Sequence, residues 1–137
     1  NIFDQAPEDA LFPYCQEHGI AIIARVPFDE GSLTGTLTRD SRWPDGDFCN
    51  SYFTRESLAA SLERVDRLRP LVPDGMDLPE FALRFILEHP AVSTTIPGMR
   101  RVAHVERNLA ASDGAPLPPR LRTGLRAHRW DRPSLTP

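Results

Sequence analysis

The stretch Ile20-Ala21-Ile22-Ile23-Ala24 is apolar at every position, and only Gly19 separates it from the helical pattern before it. A strand without a polar face is one buried on both sides, as in a parallel sheet covered by helices. The residues upstream supply such a cover. Pro7, Glu8 and Asp9 open a helix that runs to about His18, with Leu11, Tyr14 and Cys15 at i, i+3 and i+4. Gly19 ends it. Helix, one-residue turn and all-apolar strand form an αβ unit, and units of this kind build the α/β class.

A second such unit follows further along. Asp77-Leu78-Pro79-Glu80 is a helix start with an acid at the cap and another three residues on. The helix after it (Phe81, Ala82, Leu83, Phe85, Ile86, Leu87) is apolar nearly all round, so it lies between a sheet and other helices. His89-Pro90 ends it, and Val92-Ser93-Thr94-Thr95-Ile96 is the next strand. Residues 26–53 are irregular, interrupted by Pro27, Gly31, Gly35, Pro44 and Gly46 and anchored by Trp43, Phe48, Tyr52 and Phe53. A loop of that length is functional or mobile. From Thr54, apolar residues at Leu58, Leu62, Val65 and Leu68 predict a helix that stops before Pro70. Asn1-Ile2-Phe3 reads as the end of one more strand. Three parallel strands are not a closed barrel, and their open edges would be an aggregation hazard.

Composition narrows the class without naming a function. A chain of 137 residues has room for one core. It holds no apolar run of membrane-spanning length. The net charge of −3 argues against a nucleic-acid or acidic-membrane partner. All 16 basic residues are arginine. Arg120, Arg122, Arg126, Arg129 and Arg132 surround Leu121, Leu125 and Trp130 in the tail, which reads as a terminal helix with a solvated basic face. Cys15 and Cys49 lack metal-ligand spacing, and a reducing cytoplasm is the simpler expectation.

Two stretches could carry chemistry. In the run from Ser93 to Asn108, a β-branched strand stops at Pro97-Gly98 and an amphipathic helix starts with Arg100 and Arg101 in its opening turn. Backbone N–H groups and guanidinium charge aimed at one spot suit a phosphate. The plainer alternative is an αβ turn with solvent-facing arginines. Arg25-Val26-Pro27-Phe28-Asp29-Glu30-Gly31 stands at the carboxyl end of a strand, where barrel ligands bind; its alternative is an ordinary strand exit. His18, His89, His104 and His128 have no metal spacing, and adjacent Asp29 and Glu30 seldom face one way. No nucleophile elbow, P-loop or G-x-G-x-x-G occurs. The residues themselves indicate no catalytic group and no metal site.

Four stretches together resemble the C-terminal half of the aldo-keto reductases, the NAD(P)H-dependent barrel enzymes. They are Asn1 to Gln5, Leu11 to Ala24, Pro27 to Gly35, and Ile96 to Asn108. The resemblance implies strands six to eight of a (β/α)8 barrel over residues 1–112, with 113–137 a tail carrying a short helix. It places Arg25, Val26, Pro27, Phe28 and Glu30 along the nicotinamide and pyrophosphate. Gly98, Arg100, His104, Arg107 and Asn108 would hold the adenosine and its 2′-phosphate. The cofactor is then NADP(H), with Arg100 and Arg101 favouring the 2′-phosphate by charge. The family's catalytic Asp, Tyr, Lys and His come from the first half of the barrel, and no position here matches them. On this reading the chain reduces no carbonyl alone and needs a missing N-terminal half. Two other readings stand beside it: a non-catalytic half-barrel that pairs with a partner chain through its strand edges, and half of an unrelated phosphate-binding barrel. The stretch from Pro27 to Gly35 counts against the last.

Overall fold

The computed structural model describes residues 1–131; Arg132 of the basic tail lies outside the described residues. Helices alternate with two short strands: α1 (Leu11–Glu17), β1 (Ile22–Ala24), α2 (Cys49–Tyr52), α3 (Arg55–Leu68), α4 (Leu78–Leu87), β2 (Val92–Thr95), α5 (Val102–Ala110) and α6 (Pro119–Leu125). The loop after β1 contains a 3-10 helix, Asp29–Thr34.

The two helices that carry the core each start at a side-chain cap. Thr54 Oγ1 accepts the Ser57 N–H at 3.1 Å, and Asp77 Oδ1 accepts that of Glu80 at 2.9 Å. Each bond satisfies an N–H with no partner inside the helix. The helical period then turns Leu58, Val65 and Leu68 of α3 and Leu78, Phe81 and Ala82 of α4 inward. Of these, Val65, Leu68 and the three α4 residues form one cluster with Ile2, Phe3, Leu33, Leu117 and Leu125. Fully burying a side chain of this size stabilises by roughly 1.5–3 kcal/mol.

One buried charge interrupts the apolar surface of α4. Arg84 is 8% exposed; its Nε donates to Glu80 Oε1 at 2.8 Å and its guanidinium forks onto Asp113 at 2.6 and 3.0 Å. It also donates to Ala115 O at 2.9 Å. Glu88 Oε1 accepts the Leu117 N–H at 2.8 Å. Residues 113–117 are thereby fastened along α4. The tail folds back on the start of the chain, with Leu125 buried, Gln5 Nε2 donating to Leu125 O at 2.9 Å, and Trp130 N–H donating to Phe3 O at 2.7 Å. Arg120, Arg122 and Arg126 are exposed, and the half-buried Arg129 forks onto Asp9 at 2.7 Å.

The sheet departs from the expectation in two ways. Asn1-Ile2-Phe3 is not a strand: Asn1 Oδ1 accepts the N–H groups of Phe3 and Asp4 at 2.9 and 3.0 Å, which bends the chain into a turn. The sheet therefore has two strands, β1 and β2, paired in parallel with Ile23 opposite Thr94 and Ala24 opposite Thr95. Nor is the apolar run buried on both faces. Ile20 is 50% and Ile23 60% exposed, because among the described residues helices cover only one face. Residues 26–53 gain order from α2 and from Trp43 stacked on Phe53 at 5.3 Å, whereas Phe48 stays exposed.

Candidate functional site

Both candidate segments leave the same end of the sheet. Ala24 O accepts the Ile96 N–H at 3.1 Å and Thr95 Oγ1 at 3.0 Å, so the two strand exits are tied together. In open parallel sheets this carboxyl end is where ligands bind.

The exit of β1 is a strained backbone. Val26, Asp29 and Glu30 have φ values of 51°, 51° and 52°, in the left-handed region that non-glycine residues rarely occupy. Each costs on the order of 1–3 kcal/mol, and such residues persist only where the surroundings hold them. Here the surroundings do. Asn1 Nδ2 donates to Val26 O at 3.1 Å, and Phe28 O accepts the N–H groups of Gly31 and Leu33 at 2.9 and 3.0 Å. Ser32 Oγ donates to Asp29 Oδ2 at 2.6 Å with both residues buried, and Leu33 is fully buried in the core. Gly35, at φ 73°, closes the turn against Leu78 and Arg69. Pro27 is buried and Phe28 packs against the core. Next to them Arg25 is exposed and Glu30 half-buried. A cavity of about 720 Å³ runs along β1, lined by Arg25, Val26, Glu30, Tyr52, Phe85, His89 and Trp130 among others. That is ample for a small-molecule ligand.

The second segment is open where the first is fastened. Arg100 precedes α5 and Arg101 is its N-cap, so neither lies in the opening turn as the sequence predicts; the helix starts at Val102, after an extended Arg101. Arg100, Arg101 and His104 are exposed, and among the described residues neither arginine has a carboxylate partner. Gly98 has no left-handed φ, and a Cβ built there meets nothing within 4 Å. Among the described residues nothing demands glycine at that point. Asn108 is the buried residue of α5, with Nδ2 3.5 Å from Gly98 O, a long contact that keeps helix and turn together. Arg107 faces the start of α4, where its Nη1 lies 3.4 Å from Asp77 Oδ2.

An anion fits this geometry: open backbone at Gly98, flanked by two unpaired guanidinium groups. Activated acid–base groups do not converge here. The Cys49 thiol is pushed up by burial and by Asp47, the reverse of an activated nucleophile. Burial pushes the His89 imidazole down, and its Nδ1 accepts the Ala91 N–H at 3.2 Å. Among the described residues no three His, Cys, Asp or Glu side chains converge on a metal position. Sequence reasoning missed the Asp29–Ser32 lock and the Asp77 partner of Arg107. An acid three residues before a serine was the local signal for the first, while the second joins distant elements and left none.

Residues 1–121 match the aldo/keto reductase family. Over 113 residues the chain is 32% identical to the NADH-specific methylglyoxal reductase of Escherichia coli, covering 81% of this chain and 34% of that protein. It is 27% identical over 110 residues to the NADP(+) aldo-keto reductase yakc of Schizosaccharomyces pombe, covering 78% and 32%. The glycerol dehydrogenase of Gluconobacter oxydans superposes with a TM-score of 0.80 at 23% identity, over 93% of this chain and 39% of that one, a likeness of fold. The chain thus spans about a third of the length of the curated relatives it matches. Among the described residues no helix is long and apolar enough to cross a membrane. The chain belongs to the aldo/keto reductase family.

Proposed function

We propose that this chain is the cofactor-holding portion of an NADPH-dependent reductase that converts small carbonyl compounds to alcohols. The observation that carries the reading is the joint exit of β1 and β2, tied by the Ile96 N–H to Ala24 O bond at 3.1 Å, which sets a strained loop beside an open, arginine-flanked turn. Arg25, Val26, Pro27, Phe28 and Glu30 would border the nicotinamide and pyrophosphate. Gly98, Arg100, His104, Arg107 and Asn108 would hold the adenosine, with Arg100 and Arg101 answering the 2′-phosphate. When bound, the nicotinamide supplies a hydride to a carbonyl carbon. This chain's residues bind and orient it, while the proton for the oxygen has no donor assigned here. Residues 1–137 alone should then bind NADPH weakly and reduce nothing, since they supply part of the pocket wall.

The test is Arg100→Ala in the full-length gene product. NADPH binding should weaken by about tenfold, the scale of a charge-assisted contact, with NADH little changed. Equal losses for both nucleotides would make the arginine structural. A second reading, a non-catalytic half-barrel that pairs with another chain, draws on the exposed Ile20 and Ile23 beside the open edge of β1. Tight complex formation without nucleotide binding would favour it.

A further inference from the structure

One asparagine side chain joins the start of the chain to the strained loop, 25 positions further on. Asn1 Oδ1 accepts the Phe3 and Asp4 N–H groups at 2.9 and 3.0 Å, and Nδ2 donates to Val26 O at 3.1 Å. Two N–H donors on one side and a carbonyl on the other leave the amide a single orientation. The near side is anchored in the core. Ile2 and Phe3 are fully buried, Gln5 Nε2 donates to Ile2 O at 2.7 Å, and Trp130 N–H donates to Phe3 O at 2.7 Å.

The far side is backbone that would relax if released. Val26 is β-branched and held at φ 51°, although a residue before proline prefers extended backbone. Its carbonyl accepts from two donors, Asn1 Nδ2 and the Asp29 N–H, each at 3.1 Å. Asp29 belongs to the same loop, itself at φ 51°, and would shift with Val26. Asn1 reaches the carbonyl from outside the loop, on a turn that the core holds still. We propose that Asn1 is a positioning residue for the nicotinamide end of the cofactor: its amide fixes the Val26 carbonyl and thereby the course of Arg25 to Glu30. This rests on the reading that those residues border the nicotinamide. Asn1 acts through Val26 and touches no reacting atom, but misplacement on the order of 1 Å is enough to spoil a reacting geometry.

The experiment compares the full-length parent with Asn1→Asp and Asn1→Ser. NADPH is titrated by its own nicotinamide emission, and adenosine 2′,5′-bisphosphate, which carries no nicotinamide, by displacement of NADPH. Asp and Ser each keep an oxygen that accepts the N–H groups of the turn. Asp cannot donate to Val26 O, and the Ser hydroxyl is too short to reach it. If one of the two fails to fold, the other carries the test. NADPH should bind roughly three- to tenfold more weakly, the range set by losing one hydrogen bond, while the bisphosphate stays within about twofold of the parent. The emission of the bound nicotinamide should also move toward that of free NADPH, which a general loss of folded protein would not cause. Parental NADPH affinity with parental emission would overturn the proposal, and so would equal losses for the two nucleotides. A parent that binds the bisphosphate but not NADPH, or neither, would show instead that the loop borders no nicotinamide, and the underlying reading would fall first.

Discussion

Ser32 Oγ donates a 2.6 Å hydrogen bond to Asp29 Oδ2, and both residues are buried beneath the loop that leaves β1. Asp29 is itself held at φ 51° and is followed by Glu30 at 52°, so the bond fastens backbone that would relax if released. Ser32→Ala should destabilise the fold by about 1–3 kcal/mol, the cost of withdrawing a donor from a buried polar group. Urea unfolding should show a lower midpoint with an unchanged slope. An unshifted midpoint would mean that the loop is held without this bond, by the burial of Leu33 and the backbone bonds to Phe28 O.

Arg84 joins α4 to residues 113–117 through Glu80, Asp113 and Ala115 O. Arg84→Met keeps the length of the stem and removes every one of those bonds, leaving Glu80 and the Ala115 carbonyl without this donor. The melting temperature should fall by at least about 4 °C, the equivalent of 1 kcal/mol in a domain between 100 and 150 residues. Limited proteolysis should also cut sooner between α5 and α6. A variant that melts with the parent and resists cleavage equally would show that the apolar contacts of Leu117 suffice.

The same pair predicts an acid limit. The Arg84 guanidinium, and after it the Ala115 N–H, hold the Asp113 carboxyl down to about 2. A carboxylate lowered in the folded state contributes stability that is fully present above its unfolded value of about 3.9. That contribution is lost as pH falls toward 2, where the folded group also takes up its proton. Asp113→Asn should therefore show a shallower loss of stability between about pH 4 and pH 2, and a parallel profile above pH 5. Identical slopes in parent and variant below pH 4 would remove Asp113 from the acid response.

What the sequence made legible follows from how local each cause is. Thr54 and Asp77 cap their helices within three residues, and the apolar period after each decides which face is buried, so α3 and α4 could be read directly. The parallel strands announced themselves by composition but not by burial. An apolar run states a preference for cover, and Ile23 at 60% exposure shows that the described residues do not supply it. Asn1 to Phe3 failed as a strand for a related reason: without a paired neighbour, the Asn1 side chain turns the backbone instead. Arg84 was hidden because its partner Asp113 is 29 positions away, and the period of α4 has room for one charge that is fully hydrogen-bonded. At the candidate site, Pro27 to Gly35 and Ile96 to Asn108 were readable as segments. The φ values at Val26, Asp29 and Glu30 were not, because none of these residue types favours the left-handed region strongly enough to signal it.

The most direct measurement is nucleotide binding to Gly98→Ala in the full-length protein, alongside its melting temperature. A Cβ at residue 98 meets nothing within 4 Å and faces no unfavourable φ, so the fold should melt with the parent. If the turn after β2 receives the phosphate end of a nicotinamide nucleotide, the added methyl intrudes on the ligand. The Kd for NADPH should then rise by roughly tenfold, a factor worth about 1.4 kcal/mol. Unchanged stability together with unchanged NADPH affinity would contradict the account, because the open glycine would then serve no ligand.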